Sequence, residues 1–294
     1  MTPDWPAGDY VRGNGIKETL CYLSAMQTGN ETVGDILRSW RQRRRFSQMG
    51  LANEAEISTR HLSFVESGRS RPSRETLLRL AEPLRLPLRE RNRLFLASGY
   101  APPHVDHAMD APDMSATKAL IDQLLAAHMP YPALAVDRHW TLVSANDALS
   151  GLLAGTAPTL LEPPVNVLRL SLSPDGLAPA IVNLAEWRHH ILTRLRQDAD
   201  NAGDVTLLAL HDELRALPHP GSKQPPRPAN AVAVPLVLRH PAVAAPLSLL
   251  STTTVFGTAT NVALAELTLE CFYPADEATR DALLRLRQAI VVGA

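Results

Sequence analysis

The run SQMGLANEAEISTRHLSFVESG, residues 47–68, constrains this chain more than any other stretch. Ser47 and Ser58 each stand ahead of a short apolar pattern, where a hydroxyl can accept from the orphan amides of a helix N-terminus. The first helix then runs to about Ala55. Ala52 is small where a second helix must cross closely, and Ile57 plugs the turn between the two. Leu62 and Val65, three apart, point inward on the second helix. That leaves Thr59, Arg60, Ser63 and Phe64 on its outer face. Such a face, on a helix held away from the domain body, fits the major groove of double-stranded DNA.

The flanking residues supply that body. Ile36, Leu37 and Trp40 form one apolar stripe, Leu77, Leu78, Leu80 and Ala81 another, and Leu94, Phe95 and Ala97 a third. Ser73 is a further N-cap, and Gly68 and Gly99 stand where helices stop. Five short helices in residues 33–101 make a compact all-α domain. Residues 1–32 are an N-terminal extension of Pro, Gly and polar residues, with a short helix around 16–26 and no assigned role. Residues 102–115, rich in Pro and Asp, read as a linker.

After the linker the pattern changes. Residues 116–128 look helical, and ALAVD and TLVSA (133–137 and 141–145) look like two strands joined by a tight turn. Residues 177–196 and 205–217 look helical, and HPGSKQPPRP (219–228) is a loop. Three strand-like runs follow, AVAVPLVL, PLSLLSTTTVF and NVALAELTLECFY, and then a helix at about 276–291. In the last run Ala263, Ala265, Leu267, Leu269 and Cys271 alternate with Glu266, Thr268 and Glu270, which suits an antiparallel sheet with one wet face. Residues 116–294 therefore form an α+β domain.

Charge divides the chain at the same place. Residues 31–100 carry fourteen Arg, no Lys and eight acids, whereas residues 101–294 carry thirteen basic and nineteen acidic side chains. The whole chain has a net charge of only −1. A basic module joined to an acidic one makes the first the candidate to meet an anionic polymer.

Other function classes find little support. Cys21 and Cys271 are too few for a disulfide framework, and no CxxC is present. No run of 18 apolar residues spans a membrane and no apolar signal core opens the chain, so it reads as cytoplasmic, with no membrane partner. His104 and His107, His189 and His190, and His211 lack the spacing of a metal site. STTTVFG is no GxSxG elbow, and GxxxxGK and GxGxxG are both missing. The reading is of a non-enzyme without a cofactor or metal.

The residues Ser47-Gln48, Leu51-Ala52, Ile57-Ser58, Leu62, Val65, Glu66, Gly68, Pro72 and Leu77 to Ala81 carry a resemblance. In type and spacing they resemble the Cro and phage-repressor helix-turn-helix, also called the xenobiotic-response-element family. Glu56 departs from it, standing where many members place Gly, so the turn must accept a residue that prefers negative φ. The resemblance implies that Gln48 holds a phosphate and that Thr59, Arg60, Ser63 and Phe64 face bases. Arg60 suits a bidentate contact to guanine and Phe64 a thymine methyl. Arg43, Arg69, Arg71 and Arg74 fall where phosphates are expected, and Ser73 opens a helix whose amides favour anions. Each arginine alone also reads as a solvated surface charge. The resemblance makes Arg41 and Glu66 a structural ion pair, and it implies a homodimer with half-sites about one helical turn apart.

A narrower resemblance lies in STRHLSFVESGRSRPSRETLLRLAEPLRLPLRERNRLFLASGYAP, residues 58–102, and continues in HMPYPALAVDRHW, NVLRLSLSPDGL, NLAEW and FGTATNVALAELTLECFYPAD. These segments closely resemble MmyB-like transcriptional regulators. Asn261 stands where members often carry Asp. The resemblance implies a PAS-like domain that holds a fatty acid or a similar small apolar ligand and tunes DNA binding. Tyr131, Trp140, Trp187 and Phe256 are candidates to line its pocket, and Arg138, Arg169 or His190 to meet a carboxylate. The same aromatics also read as plain core, and the Arg and His as surface. An alternative keeps the DNA-binding head and makes the C-terminal domain a protein-interaction module.

Overall fold

The structure, a computed structural model, describes residues 31–109, 111–153, 155–218 and 233–292. The helix expected around 16–26 and the loop at 219–228 lie outside the described residues. Contacts divide the chain into two compact units, Met1–Asp113 together with Thr258–Ala265, and Met114–Gly257 together with Glu266–Ala294.

The first unit is a helical bundle of α1 (Val33–Arg43), α2 (Gln48–Glu54), α3 (Thr59–Glu66), α4 (Arg74–Ala81) and α5 (Leu88–Ala97). Four of the five helices start on a hydroxyl cap. Thr32 and Asp35 form a reciprocal box, and Ser47, Ser58 and Ser73 accept from the amides of Gly50, His61 and Thr76 at 2.9, 3.1 and 3.1 Å. Gly68 and Gly99 end α3 and α5 with left-handed φ of 73° and 74°. Inside, Leu37, Leu51, Ala52, Leu62, Val65, Leu77, Leu80, Leu94 and Phe95 are completely buried. Helices α1 and α3 touch backbone to backbone, because a Cβ on Gly34 would meet the Glu66 carbonyl oxygen at 2.4 Å. Part of the stretch expected to be a linker is strapped to this unit. Asn92 donates to the His104 carbonyl at 2.8 Å and accepts from its amide at 3.0 Å, and Arg89 pairs with Asp106 at 2.8 Å.

The second unit is α+β. Its helices α6 (Ser115–Ala127), α7 (Asp147–Leu152), α8 (Val167–Leu172), α9 (Leu184–Ala202), α10 (Val205–Ala216) and α12 (Glu277–Val292) accompany five strands. Strands β1 (Ala133–Val136), β2 (Leu142–Ala145), β3 (Leu236–Leu238), β4 (Leu247–Val255) and β5 (Thr268–Pro274) pair antiparallel in the order β2-β1-β5-β4-β3. The core lies between this sheet and the helices, and includes Leu134, Val136, Trp140, Trp187, Ile191, Leu195, Leu238, Leu247 and Leu249. The edge of β3 is covered, since Val182 donates to Val237 at 2.8 Å and Arg239 to Ala180 at 2.9 Å.

Three details depart from the sequence expectation: the helix expected from residue 177 begins only at Leu184, after a 3-10 turn at Ala178–Ala180, and two concern the run that ends in β5. Residues Val262–Ala265 form a short helix, α11, grouped with the first unit, so the strand begins only at Thr268. Asn261 is the reason: its side chain accepts from the Leu264 amide and opens a helical turn. The face of β5 bearing Glu270 is not wet. Glu270 sits opposite Leu134 and Thr253 in the register, is 5% exposed, and takes a bond from Arg194 on α9 at 2.7 Å. Strand β5 is paired on both edges, and α9 covers its Glu270 face through Arg194.

Candidate DNA-binding and ligand-binding sites

The helix-turn-helix is α2, a turn, and α3. The turn passes through Glu56 at φ 52°, the left-handed region that Gly enters freely and Glu enters at a cost of about 1–2 kcal/mol. It is closed by the Ile57 amide bonding the Ala52 carbonyl at 2.9 Å, while Ile57 packs on the core below.

Under α3 lies a charged knot. Arg41 meets the Glu66 carboxylate with two nitrogens, at 2.6 and 2.9 Å, and Gln48 donates to the same carboxylate at 2.8 Å. Arg41 also reaches the Phe46 carbonyl at 3.1 Å, and Arg38 the Glu66 carbonyl at 2.6 Å. Burial by itself raises the Glu66 pKa. The bonds from Arg41 and Gln48 and the nearby charges of Arg41 and Arg38 outweigh it, so the carboxyl titrates below its usual range. The bond to Glu66 in turn raises the pKa of Arg41.

Above the knot, α3 presents its other side. Thr59 and Arg60 are exposed and Ser63 and Phe64 half-buried, whereas Leu62, Val65 and Glu66 are buried. The Arg60 guanidinium lies 5.3 Å from the centre of the Phe64 ring. The residues expected at phosphates are placed unevenly. Arg69 is exposed with no ion pair among the described residues. Arg43 is exposed beside Trp40, and Arg74 lies over Phe95 and reaches the Ala101 carbonyl at 3.4 Å. Gln48 is tied to Glu66, Ser73 caps α4, and Arg71 is spent elsewhere. Arg71 donates twice to the Ser98 carbonyl, at 3.0 and 2.7 Å, and stacks on Tyr100, which clamps the end of α5. Nothing local in the sequence marks that clamp, because its partner lies 27 residues away.

In the second unit Trp140 and Trp187 share the core, with Tyr131 packed against it. The Trp187 indole donates to Ser171 at 3.0 Å, and His190 lies 5.6 Å from its ring. Burial, and then the Arg194 charge, push the His190 pKa down. Phe256 is half-buried just beyond β4. The two arginines expected to meet a ligand carboxylate already face protein carboxylates. Arg169 forms a two-pronged pair with Glu213, both bonds at 2.7 Å, and Arg138 lies 3.7 Å from Asp204 and 4.0 Å from Glu266. Burial works against ionisation of Asp204, but the His139 bond and the His139 and Arg138 charges hold its pKa far below the usual range. Sequence reasoning missed a half-buried cation, Arg194, bonded to Glu270 and lying 4.6 Å from the Trp140 ring. Its signal was present, since Arg194 falls seven residues after Trp187 on the same amphipathic helix.

A cleft of about 820 Å³ opens among residues 155–180 and the β3–β4 connection. Leu177, Ala180, Val243, Ala244 and four prolines dominate its wall, with Asp175, Arg239 and His240 as charged or polar members. None of Tyr131, Arg138, Trp140, Arg169, Trp187, His190 or Phe256 lines it. His240 is locked: its Nδ1 accepts from the Ala242 amide, so Nε2 donates to the Gly151 carbonyl at 2.7 Å.

Residues 118–286 match the family described as MmyB-like transcription regulator ligand binding domain, and residues 32–94 match a helix-turn-helix domain family. No curated protein matches the chain. Among solved structures, the clp gene regulator ClgR from Corynebacterium glutamicum is 22% identical over 34% of this chain and 94% of its own, with a TM-score of 0.21. An RNA-binding light-oxygen-voltage receptor is 13% identical over 97% of this chain and 69% of its own, with a TM-score of 0.26. Neither superposition is close enough to carry an argument. The helix-turn-helix match and the ligand-binding-domain match, the second covering more than half of the sequence, place this chain in the family of MmyB-like transcription regulators, DNA-binding proteins with a ligand-binding domain.

Proposed function

We propose that the first unit binds a double-stranded DNA site as half of a homodimer, and that the second takes up a small apolar ligand of the fatty-acid kind that changes DNA affinity. One observation carries the DNA half: α3 buries Leu62, Val65 and Glu66 and leaves Thr59, Arg60, Ser63 and Phe64 toward solvent. Groups not consumed by the fold are available to base edges. Arg43, Arg69 and Arg74 supply phosphate contacts beside it, with the α4 amides behind Ser73. Gln48 has a second amide hydrogen for a phosphate. Arg71 is left out of this set, because its donors serve the end of α5. One head reaches only a few base pairs, so a second copy on a half-site about one helical turn away belongs to the reading.

For the ligand, the cleft beside β3 has a capacity in the ordinary range for small-molecule sites. Its apolar wall suits an aliphatic chain, and Arg239 is the group for an acidic end. Such a ligand controls DNA binding only if it binds the two states of the protein unequally.

Gel-shift titration at several salt concentrations tests the DNA half. Affinity should fall with a log–log slope of about −0.9 for each phosphate neutralised, and a flat response would sink it. Native mass spectrometry of the purified chain tests the other half. A co-purifying lipid lost in Arg239→Ala supports it, and a bound polypeptide in its place refutes it.

A further inference from the structure

The cleft beside β3 carries one carboxylate and one guanidinium on its wall, Asp175 and Arg239, and no other charged side chain among the described residues. Both are exposed. Neither forms an ion pair among the described residues, so they do not pair with each other. The fold holds their stems and leaves their tips. The Asp175 amide donates to Ser173 Oγ at 3.1 Å, and its carbonyl accepts from the Ala157 amide at 2.9 Å. The Arg239 amide donates to the Ala180 carbonyl at 2.9 Å. His240, the third polar side chain of the wall, has both ring nitrogens engaged.

The rest of the wall offers a polar ligand little. Its four prolines have no amide hydrogen. The amides of Ala157, Gly176, Leu177 and Val243 already bond protein carbonyls. Recognition by side chains therefore falls to one anion and one cation on an apolar surface. They stand apart along it. Asp175 precedes by five residues the Ala180 that Arg239 bonds. The 3-10 turn Ala178–Ala180 rises only about 2 Å per residue, so that backbone spans at most about 15 Å.

A plain fatty acid satisfies Arg239 alone. Its chain then either avoids the part of the wall at Asp175 or covers a carboxylate that has no partner, which is costly. A ligand that also carries an ammonium group, set at a distance from its carboxylate, meets both charges. From this we infer that the cleft selects a zwitterionic amphiphile: Arg239 donates to its carboxylate, Leu177 and Val243 face its apolar body, and Asp175 accepts from its ammonium group. The inference rests on the ligand-binding reading above and narrows its ligand from acids to long amino acids with separated charges. The selectivity is a difference of affinities, set by the group that would leave Asp175 unmatched.

The test uses the full chain and pairs of probes that differ only in the ammonium group. Dodecanoic acid is compared with 12-aminododecanoic acid, and hexanoic acid with 6-aminohexanoic acid, by titration calorimetry at neutral pH below the micelle concentration. In at least one pair the amino acid binds more tightly, by about ten- to a hundredfold, the worth of a hydrogen bond to a charged group. Asp175→Asn removes that preference and leaves the plain acid bound as before. Arg239→Gln removes the preference for 12-aminododecanoic acid over dodecylamine. Asp175 and Arg239 are exposed, so neither change disturbs the core. Plain acids that bind as well as their amino partners, or a preference that survives in Asp175→Asn, overturn the inference and leave the apolar-ligand reading standing. No binding of any probe removes both.

Discussion

Helices α3 and α9 treat their charged side chains in opposite ways. Helix α3 is eight residues long and leaves Arg60 toward solvent, stacked only on its own Phe64. Helix α9 is nineteen residues long and turns two of its three arginines into the protein: Arg194 bonds the buried Glu270, and Arg188, 7% exposed, donates to the Arg215 carbonyl at 2.6 Å. The difference follows from position. One helix has a neighbour on one side only, and its outward groups stay available to a partner. The other buries one face in the core of its unit, and a charge left unpaired on that face would cost several kcal/mol. Arg188 and Arg194 of α9 therefore report on stability, and Arg60 of α3 on recognition.

The largest expected effect tests the one place where α3 behaves like α9. Glu66→Ala strands Arg41 under the helix-turn-helix and should destabilise the first unit by about 3–5 kcal/mol in denaturant unfolding. A loss below 1 kcal/mol would show the knot to be decorative. In the second unit, Arg194→Met strands Glu270 and should cost about 2–4 kcal/mol, the lower figure reflecting the Thr253 hydroxyl that still bonds the carboxylate at 2.9 Å. The double change Arg194→Met with Glu270→Met should recover most of it, because a matched apolar pair replaces a matched ionic one. If the double variant is as damaged as the single, the charges do more than neutralise each other.

Acid sharpens the comparison. The folded-state pKa of Glu66 lies below its unfolded value, so its contribution is complete above the ordinary carboxylate range and drains as pH falls through the folded value. Chemical denaturation from pH 6 downward should show the first unit weakening below about pH 4, and Glu66→Gln should flatten that slope. A variant with the slope of the parent would place the titrating group elsewhere. On the recognition side, Arg60→Ala should cost about 1–3 kcal/mol in specific DNA binding and leave unfolding within about 0.5 kcal/mol of the parent. Equal loss on specific and non-specific DNA would make Arg60 a phosphate contact. The smallest effect concerns the turn between α2 and α3: Glu56→Gly relieves the left-handed φ and should stabilise the first unit by about 1 kcal/mol, seen as a higher thermal midpoint.

Much of the first unit was legible because its signals are local. A hydroxyl three residues ahead of an amide, apolar residues three or four apart and a glycine after the last turn act within one or two turns of chain, so Ser47, Ser58, Ser73, Gly68 and Gly99 could be placed without knowing any neighbour. The partnership of Arg41 with Glu66 came only through resemblance. The second unit was legible as a hairpin, two helices, strands and a closing helix, and less so in detail. Alternation along 263–271 names two faces of a strand but not which is covered, since a period of two is blind to its surroundings. The short helix at Val262–Ala265 was hidden by an alanine-rich run that suits helix and strand alike.

By itself, then, the chain of residues determined the helical head, its caps, the outward quartet on α3 and the change to α+β after the linker, all by short-range rules. Only the tertiary structure decided that Glu270 is buried beneath Arg194, that Arg71 clamps α5, that Gln48 joins the Arg41–Glu66 knot, and that the cleft lies beside β3. Each of those depends on groups distant in sequence meeting in a place that excludes water, where an unpaired donor or charge is costly.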